Sequence, residues 1–422
     1  MLNWIGIETT AEIRFPPEAV ESGTYEGWRA AIDAAVAVAD CPHWRLGAAA
    51  GFAGPILARC DFDTCGLNFS GATSRGKTTA EALAVSTWTS PGLTSGGLLR
   101  SMRATENSVE LSARQANNMI LGFDELAHVD GKMIGRTIYF LSGGVSKARM
   151  SSQLTMREQY TWRTIVLLSS EQSLAQKVAD EGGQWTGGMA VRFVDVDCSD
   201  VDAAVPKNTL ETIGGIYRNF GHGWRRFIAA LMKAGLNKDP KRGDLRATIL
   251  DLAARIAGEN ADGARRRAAL PFALLATGGR LAQQFGVLPE TADIAGAVTW
   301  GWERFIRAPG ALALSPEVRA LSNLRRWIAE HWDAALKLID SPYHNARDAL
   351  GWYDADAIYI PTDRILEAIG GVMSVRPFVS RVLEKQDLLQ RRRDEHRAAI
   401  RSVPKIGKVD VYCLKLKAFR DE

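Results

Sequence analysis

Hydrophobic positions recur along the chain in two rhythms. Short apolar runs at 66–70, 119–123, 164–168 and 190–196 predict strands. Between them, apolar residues at helical spacing predict helices over 26–36, 46–62, 79–88, 105–117 and 132–142. The alternation predicts an α/β fold, a mostly parallel sheet with helices on both faces, over about residues 46–205. Residues 1–45 read as a helical lead-in. Residues 206–344 show Leu, Ala and Ile at helical spacing and read as a helical lid or bundle. Residues 345–422 change again: a strand at 358–360, helices near 362–369 and 375–385, and an alternating strand at 409–416. Strand, helix, helix and hairpin predict a winged-helix module.

At 422 residues the chain is long enough for more than one core. Its 46% hydrophobic and 24% charged content reads as soluble and globular. No apolar run approaches a membrane span, and the amino terminus lacks a signal-peptide pattern, so the expected location is cytoplasmic, without a membrane partner. The five cysteines are scattered and read as reduced, buried thiols. The net charge of +4 is uneven, with thirteen Lys/Arg against seven Asp/Glu from Arg376 to Glu422. A basic carboxy-terminal end, including Arg391, Arg392 and Arg393, points to a polyanion. A solvated helix face is the alternative.

Candidate chemistry centres on Gly71-Ala72-Thr73-Ser74-Arg75-Gly76-Lys77-Thr78, which fits G-x-x-x-x-G-K-[ST] between a strand and a helix and continues into Thr79. Glycines let backbone N–H groups turn toward phosphates, Lys77 meets the β and γ phosphates, and Thr78 holds Mg²⁺. This predicts an ATP site. One strand–helix pair downstream, the run at 119–123 ends in Asp124 and Glu125, which suit Mg²⁺ and the attacking water respectively. The strand at 164–168 ends in Ser169 and Ser170. Either hydroxyl could orient the water or sense the γ-phosphate, or simply end the strand. Arg192, inside the apolar run 190–196, reads as a finger reaching a neighbouring subunit's phosphates or as an internal salt bridge. Lys147 and Arg149 lie in a basic, hairpin-like stretch that could track a phosphate backbone. A plain solvated hairpin is the alternative.

These residues, in order, resemble the ATPase domain of the self-loading, minichromosome-maintenance-like AAA+ helicases of staphylococcal cassette chromosomes and related mobile elements. Phage-type primase-helicases carry similar domains. The resemblance runs from Gly27-Trp28-Arg29 to the carboxy terminus. It is carried by Ser74 to Thr79, Arg103 to Asn107 with Glu110, Asp124-Glu125-Leu126, Tyr139, Lys147-Ala148-Arg149, Leu168 to Glu171, and Phe272 to Ala276 before Leu281-Ala282. It implies Lys77, Thr78, Asp124 and Glu125 as the ATP site, Ser169 or Ser170 as sensor, and Arg192 as a trans-acting finger. It further implies 144–163 as a pore hairpin on single-stranded DNA, a terminal winged helix that could hold duplex, and a homo-hexamer. Met102 departs from it, standing where a Trp is expected. No amino-terminal primase or zinc module is read in the sequence, as expected of a trimmed or a minimal version.

The expected function is therefore an ATP-hydrolysing DNA helicase or translocase acting in the replication of a mobile element or phage. The alternative is a non-unwinding AAA+ loader or regulatory ATPase that holds duplex DNA. A protein remodeller ranks third, because such motors carry an aromatic pore residue where this chain offers Lys147 and Arg149.

Overall fold

The computed structural model describes residues 20–93, 96–102, 105–124, 131–148, 159–340, 349–390, 398–403 and 406–420. They fall into two compact units, Met1–Leu314 and Ser315–Glu422.

In the first unit, α1 (Tyr25–Val36), α2 (Pro42–Ala50) and α3 (Ala53–Arg59) precede the sheet. Thr24 starts α1 by accepting a hydrogen bond from the Gly27 N–H. The single helix expected over 46–62 is divided between α2 and α3. At the break, the carbonyl of Gly51 turns to accept the Trp88 indole N–H at 2.6 Å. The sheet follows as β1 (Cys65–Ser70), β2 (Leu99–Ser101), β3 (Ile120–Asp124), β4 (Ile165–Ser170) and β5 (Phe193–Asp197). Helix α4 (Lys77–Ser86) leaves the glycine-rich turn. Then come α5 (Glu106–Gln115), α6 (Gly131–Gly143), α7 (Leu174–Asp180) and the short α8 (Gly187–Ala190).

The strands lie in the order β2-β3-β4-β1-β5, and all neighbours are parallel. Every residue of β1 and β4 is buried, as parallel strands covered on both faces require. Leu67 and Phe69 are wholly enclosed, each stabilising the unit by roughly 1.5–3 kcal/mol. Because all five strands point one way, their carboxy-terminal ends gather at one edge of the sheet. Helix α2 packs backbone to backbone on α4: a Cβ on Gly47 would lie 2.2 Å from the Ala80 carbonyl oxygen. Beyond the sheet the unit is helical, with α9 (Lys207–Ile213), α10 (Gly223–Lys233), α11 (Lys241–Ala257), α12 (Gly263–Gln284) and α13 (Ile294–Arg307).

The strand expected over 190–196 starts later. Thr186 caps Gly187–Ala190 into a helical turn by accepting the Met189 N–H, so extended structure begins only at Phe193.

The second unit has its own core around Leu324, Leu336, Ile358, Ile360, Phe378 and Leu414. Helix α14 (Pro316–His331) packs in it, as does a five-stranded sheet ordered β6-β7-β8-β10-β9. Its strands are β6 (Leu336–Leu338), β7 (Gly351–Tyr353), β8 (Ala357–Pro361), β9 (Ala399–Val403) and β10 (Gly407–Lys415). The helix and β6 lie within residues read from sequence as helical bundle. Their apolar positions face this second core, a choice that local periodicity does not encode. Between β8 and β9 come short helices at Ile365–Ala368 and Val375–Phe378.

Candidate active site

The turn after β1 takes backbone conformations that select its residues. Gly71 and Gly76 have φ of 133° and 73°, and Ser74 also lies in the left-handed region at 62°. A Cβ on Gly71 would sit 2.8 Å from the Ser199 backbone nitrogen. The turn ends in α4, whose first residue is Lys77. The Lys77 ammonium folds back to donate to the carbonyls of Gly71 at 2.7 Å and Ala72 at 2.6 Å. Burial lowers its pKa, opposed by Cys198 and the carboxylates of Glu171, Asp124 and Glu81. Arg75 reaches sideways, donating to the Val201 carbonyl at 2.8 Å and to Asp202 at 2.9 Å.

Thr73, Ser74, Thr78 and Thr79 line a cavity of about 740 Å³ together with the tips of β3 and β4. Cys41, Trp44, Val205 and Leu210 add apolar surface to its lining. The turned backbone with its hydroxyls and carboxylate forms a polar end, and a cavity of this size with both kinds of surface suits a nucleotide.

Three strand tips meet at the polar end. Ser169 donates to Asp124 Oδ1 at 2.6 Å, and Thr78 Oγ1 lies 3.5 Å from the same oxygen. Ser170 turns away to Asn68 at 2.8 Å, and Asn68 also donates to Asp195 at 2.6 Å. The two serines, equivalent in the sequence, thus occupy different networks, and only Ser169 touches Asp124. Asp195 also accepts the Leu174 N–H, and burial pushes its carboxyl up to about 6. A hydroxyl and a carboxylate beside the phosphate turn are the oxygen donors that Mg²⁺ takes, so the residues fit that ion.

Glu81, one turn after Lys77 on the inner face of α4, is wholly buried. Among the described residues neither of its oxygens has a hydrogen bond of normal geometry. Burial, with the charge of Asp124 added, pushes its carboxyl well above the usual range.

Arg192 lies at the opposite end of the sheet, where its carbonyl accepts the Gly66 N–H at 2.9 Å. It precedes β5 instead of lying within it, which corrects the reading of an arginine inside a strand. Its guanidinium donates to the Gly188 carbonyl at 2.7 Å and stands 5.3 Å from the Tyr139 ring centre. Lys147 is ion-paired with Glu106, which lowers the Glu106 pKa, and its ammonium is 5.9 Å from the Phe140 ring. Around it, Ser146 N–H donates to the Tyr160 carbonyl and Trp162 N–H to that of Gly144, joining 144–146 to 160–162 as antiparallel stretches. Glu125, Arg149, Arg391, Arg392 and Arg393 lie outside the described residues.

Sequence reading missed Glu81, the segment 201–205 and the first turn of α2. A charged residue inside the apolar face of α4 was the available signal for Glu81. The other two carry none, because only folding brings them to the cavity.

With this geometry in view, comparisons place the chain. A family model described as a domain of unknown function, DUF927, matches residues 9–161. No curated protein matches the chain. Among solved structures, the active helicase Cch of SCCmec type IV superposes with a TM-score of 0.67 at 17% identity, covering 97% of this chain and 74% of that one. The A-form apo structure of the NrS-1 C-terminal region covers 97% of this chain and 78% of that one at 9% identity, but its TM-score of 0.33 carries no weight. The chain has a mixed α/β fold built on a five-stranded parallel sheet, consistent with a P-loop-like fold. Its architecture is that of the SCCmec helicase.

Proposed function

We propose that the chain is an ATP-hydrolysing DNA helicase or translocase of the AAA+ kind, working as a homo-hexamer in replication of a mobile element or phage. The observation that carries the proposal is the meeting of the phosphate turn with Asp124 and Ser169, at the tips of three adjacent parallel strands. Placing β4 between β1 and β3 is what lets one hydroxyl reach the acid.

The turn's N–H groups and the amino-terminal end of α4 cradle the triphosphate. Lys77 exchanges its two carbonyl partners for the β and γ phosphates. Thr78 and Asp124 would hold Mg²⁺, which when bound neutralises charge building on the phosphates. Ser169 keeps the Asp124 carboxylate turned toward Thr78. Glu125 follows Asp124 directly and accepts a proton from the attacking water. Arg192, far from its own subunit's cavity, is read as acting on the next subunit's nucleotide. Lys147 and Arg149 grip single-stranded DNA in the pore, and residues 345–422, read as a winged-helix-like basic module with Arg391, Arg392 and Arg393, meet duplex. The pairing of Lys147 with Glu106 means that DNA must replace a carboxylate with phosphates, a modest cost for an exposed pair.

The test is ATP hydrolysis with and without single-stranded DNA, beside strand separation and mass in solution. Stimulation by DNA, unwinding and a six-fold mass are expected, with hydrolysis lost in Lys77→Ala. Hydrolysis that ignores DNA would overturn the motor reading. A footprint on duplex without unwinding would support the loader alternative.

A further inference from the structure

The first turn of α2 lies far upstream of the phosphate motif and was not read as part of any site, yet two of its side chains meet the motif's backbone. Trp44 donates its indole N–H to the Gly76 carbonyl at 2.9 Å. The approach is close enough that a Cβ on Gly76 would stand 2.7 Å from the indole nitrogen. Gly76 is therefore demanded twice, by its left-handed φ and by Trp44. Beside it, His43 is wholly buried among Trp44, Phe69 and Trp300. Its ring lies against the backbone of Arg75 and Gly76. Among the described residues neither ring nitrogen has a hydrogen bond of normal geometry. A buried imidazole is costly unless it is hydrogen-bonded, and the Arg75–Gly76 backbone is the polar surface that its ring faces. Helix α2 is fixed in height by the Gly47–Ala80 backbone contact. Trp44 also reaches the nucleotide cavity wall.

We infer that His43 and Trp44 are positioning residues of the phosphate turn, clamping the Arg75–Gly76 backbone so that a helix outside the motif sets its curvature. The inference rests on the reading of this turn as a nucleotide site. Trp44 has its one donor committed to Gly76, so it offers the nucleotide only its ring carbons. His43 acts from beneath and does not touch the ligand.

The experiment is Mg-ADP titration of the full chain, wild type against Trp44→Phe, His43→Leu and His43→Asn, followed by calorimetry and by ¹⁹F resonance of 5-fluorotryptophan-labelled protein. Loss of the Trp44 hydrogen bond should weaken ADP about tenfold. His43→Leu should weaken it comparably, and His43→Asn, which keeps a donor and an acceptor, should recover most of the loss. In ATP hydrolysis the larger share of each loss should fall on KM. The resonance assigned to Trp44, by its absence in Trp44→Phe, should move when ADP binds. This signal needs no variant other than the conservative one, so it survives misfolding of His43→Leu. Wild-type protein that binds no ADP would sink the nucleotide reading itself. Wild-type protein that binds ADP with a stationary Trp44 resonance, and with Trp44→Phe and His43→Leu of unchanged affinity, would overturn the clamp alone.

Discussion

Ser169 donates its hydroxyl hydrogen to Asp124 at 2.6 Å, tying the tips of two neighbouring parallel strands. Without it the Asp124 carboxylate can rotate away from Thr78. Ser169→Ala should lower the rate by roughly 10–100-fold and raise the Mg²⁺ needed for half-maximal hydrolysis. Ser170→Ala disrupts the Asn68–Asp195 network instead and should act mainly on stability. A Mg²⁺ titration of both variants separates the two. Equal Mg²⁺ dependence would contradict the assignment.

Arg192 is read as serving the neighbouring subunit. Arg192→Ala should keep ADP affinity and assembly while hydrolysis falls at least about 10³-fold. Mixing it with Lys77→Ala protein should restore part of the activity, because each subunit supplies what the other lacks. No recovery in the mixture would favour a purely internal role on Gly188 and Tyr139.

Gly47 meets the Ala80 carbonyl with no room for a methyl group. Gly47→Ala must push α2 off α4, at a cost of about 1–3 kcal/mol. Urea unfolding should show the lower midpoint, and ADP binding should weaken as well, since Trp44 and His43 ride on the same helix.

Burial lowers the His43 pKa to about 4; the Arg75 and Gly76 backbone acts against the fall, and the positive charge of Lys77 adds to it. Between about 4 and about 6.5 the unfolded chain binds a proton at this residue that the folded chain excludes. The pH-linked cost of keeping buried His43 neutral is thus absent above about pH 6.5 and grows as pH falls to about 4, to about 3 kcal/mol in all. Asp195, raised to about 6, works with the opposite sign. Its stabilising protonation is lost as pH rises through that window. The contribution of His43 is therefore read as wild type minus His43→Asn. The stability difference between them should shift toward the variant as pH falls below about 6.5. A difference independent of pH would show that His43 is accessible to protons when folded.

Much of the first unit was legible along the chain. GATSRGKT needs glycine at positive φ and a lysine at the head of a helix, and those demands are local, so they show in the sequence. The apolar strands showed for the same reason: a strand buried on both faces must be apolar throughout. The start of β5 was misread because Val191 and Arg192 look extended, and only the Thr186 cap makes the preceding residues helical. The helix Pro316–His331 looked like its neighbours, because periodicity tells which face is buried but not against what.

By itself, the sequence determined that a phosphate turn joins a strand to a helix, and that an acid-tipped strand follows. Only the tertiary structure decided that, of the two serines at the tip of β4, Ser169 and not Ser170 meets Asp124. It alone brought Trp44 to Gly76 and left Glu81 sealed behind Lys77. The reason is physical. Backbone conformation is written residue by residue, whereas the pairing of strands and helices is set by burying faces far apart in the chain, and no local pattern records which faces will meet.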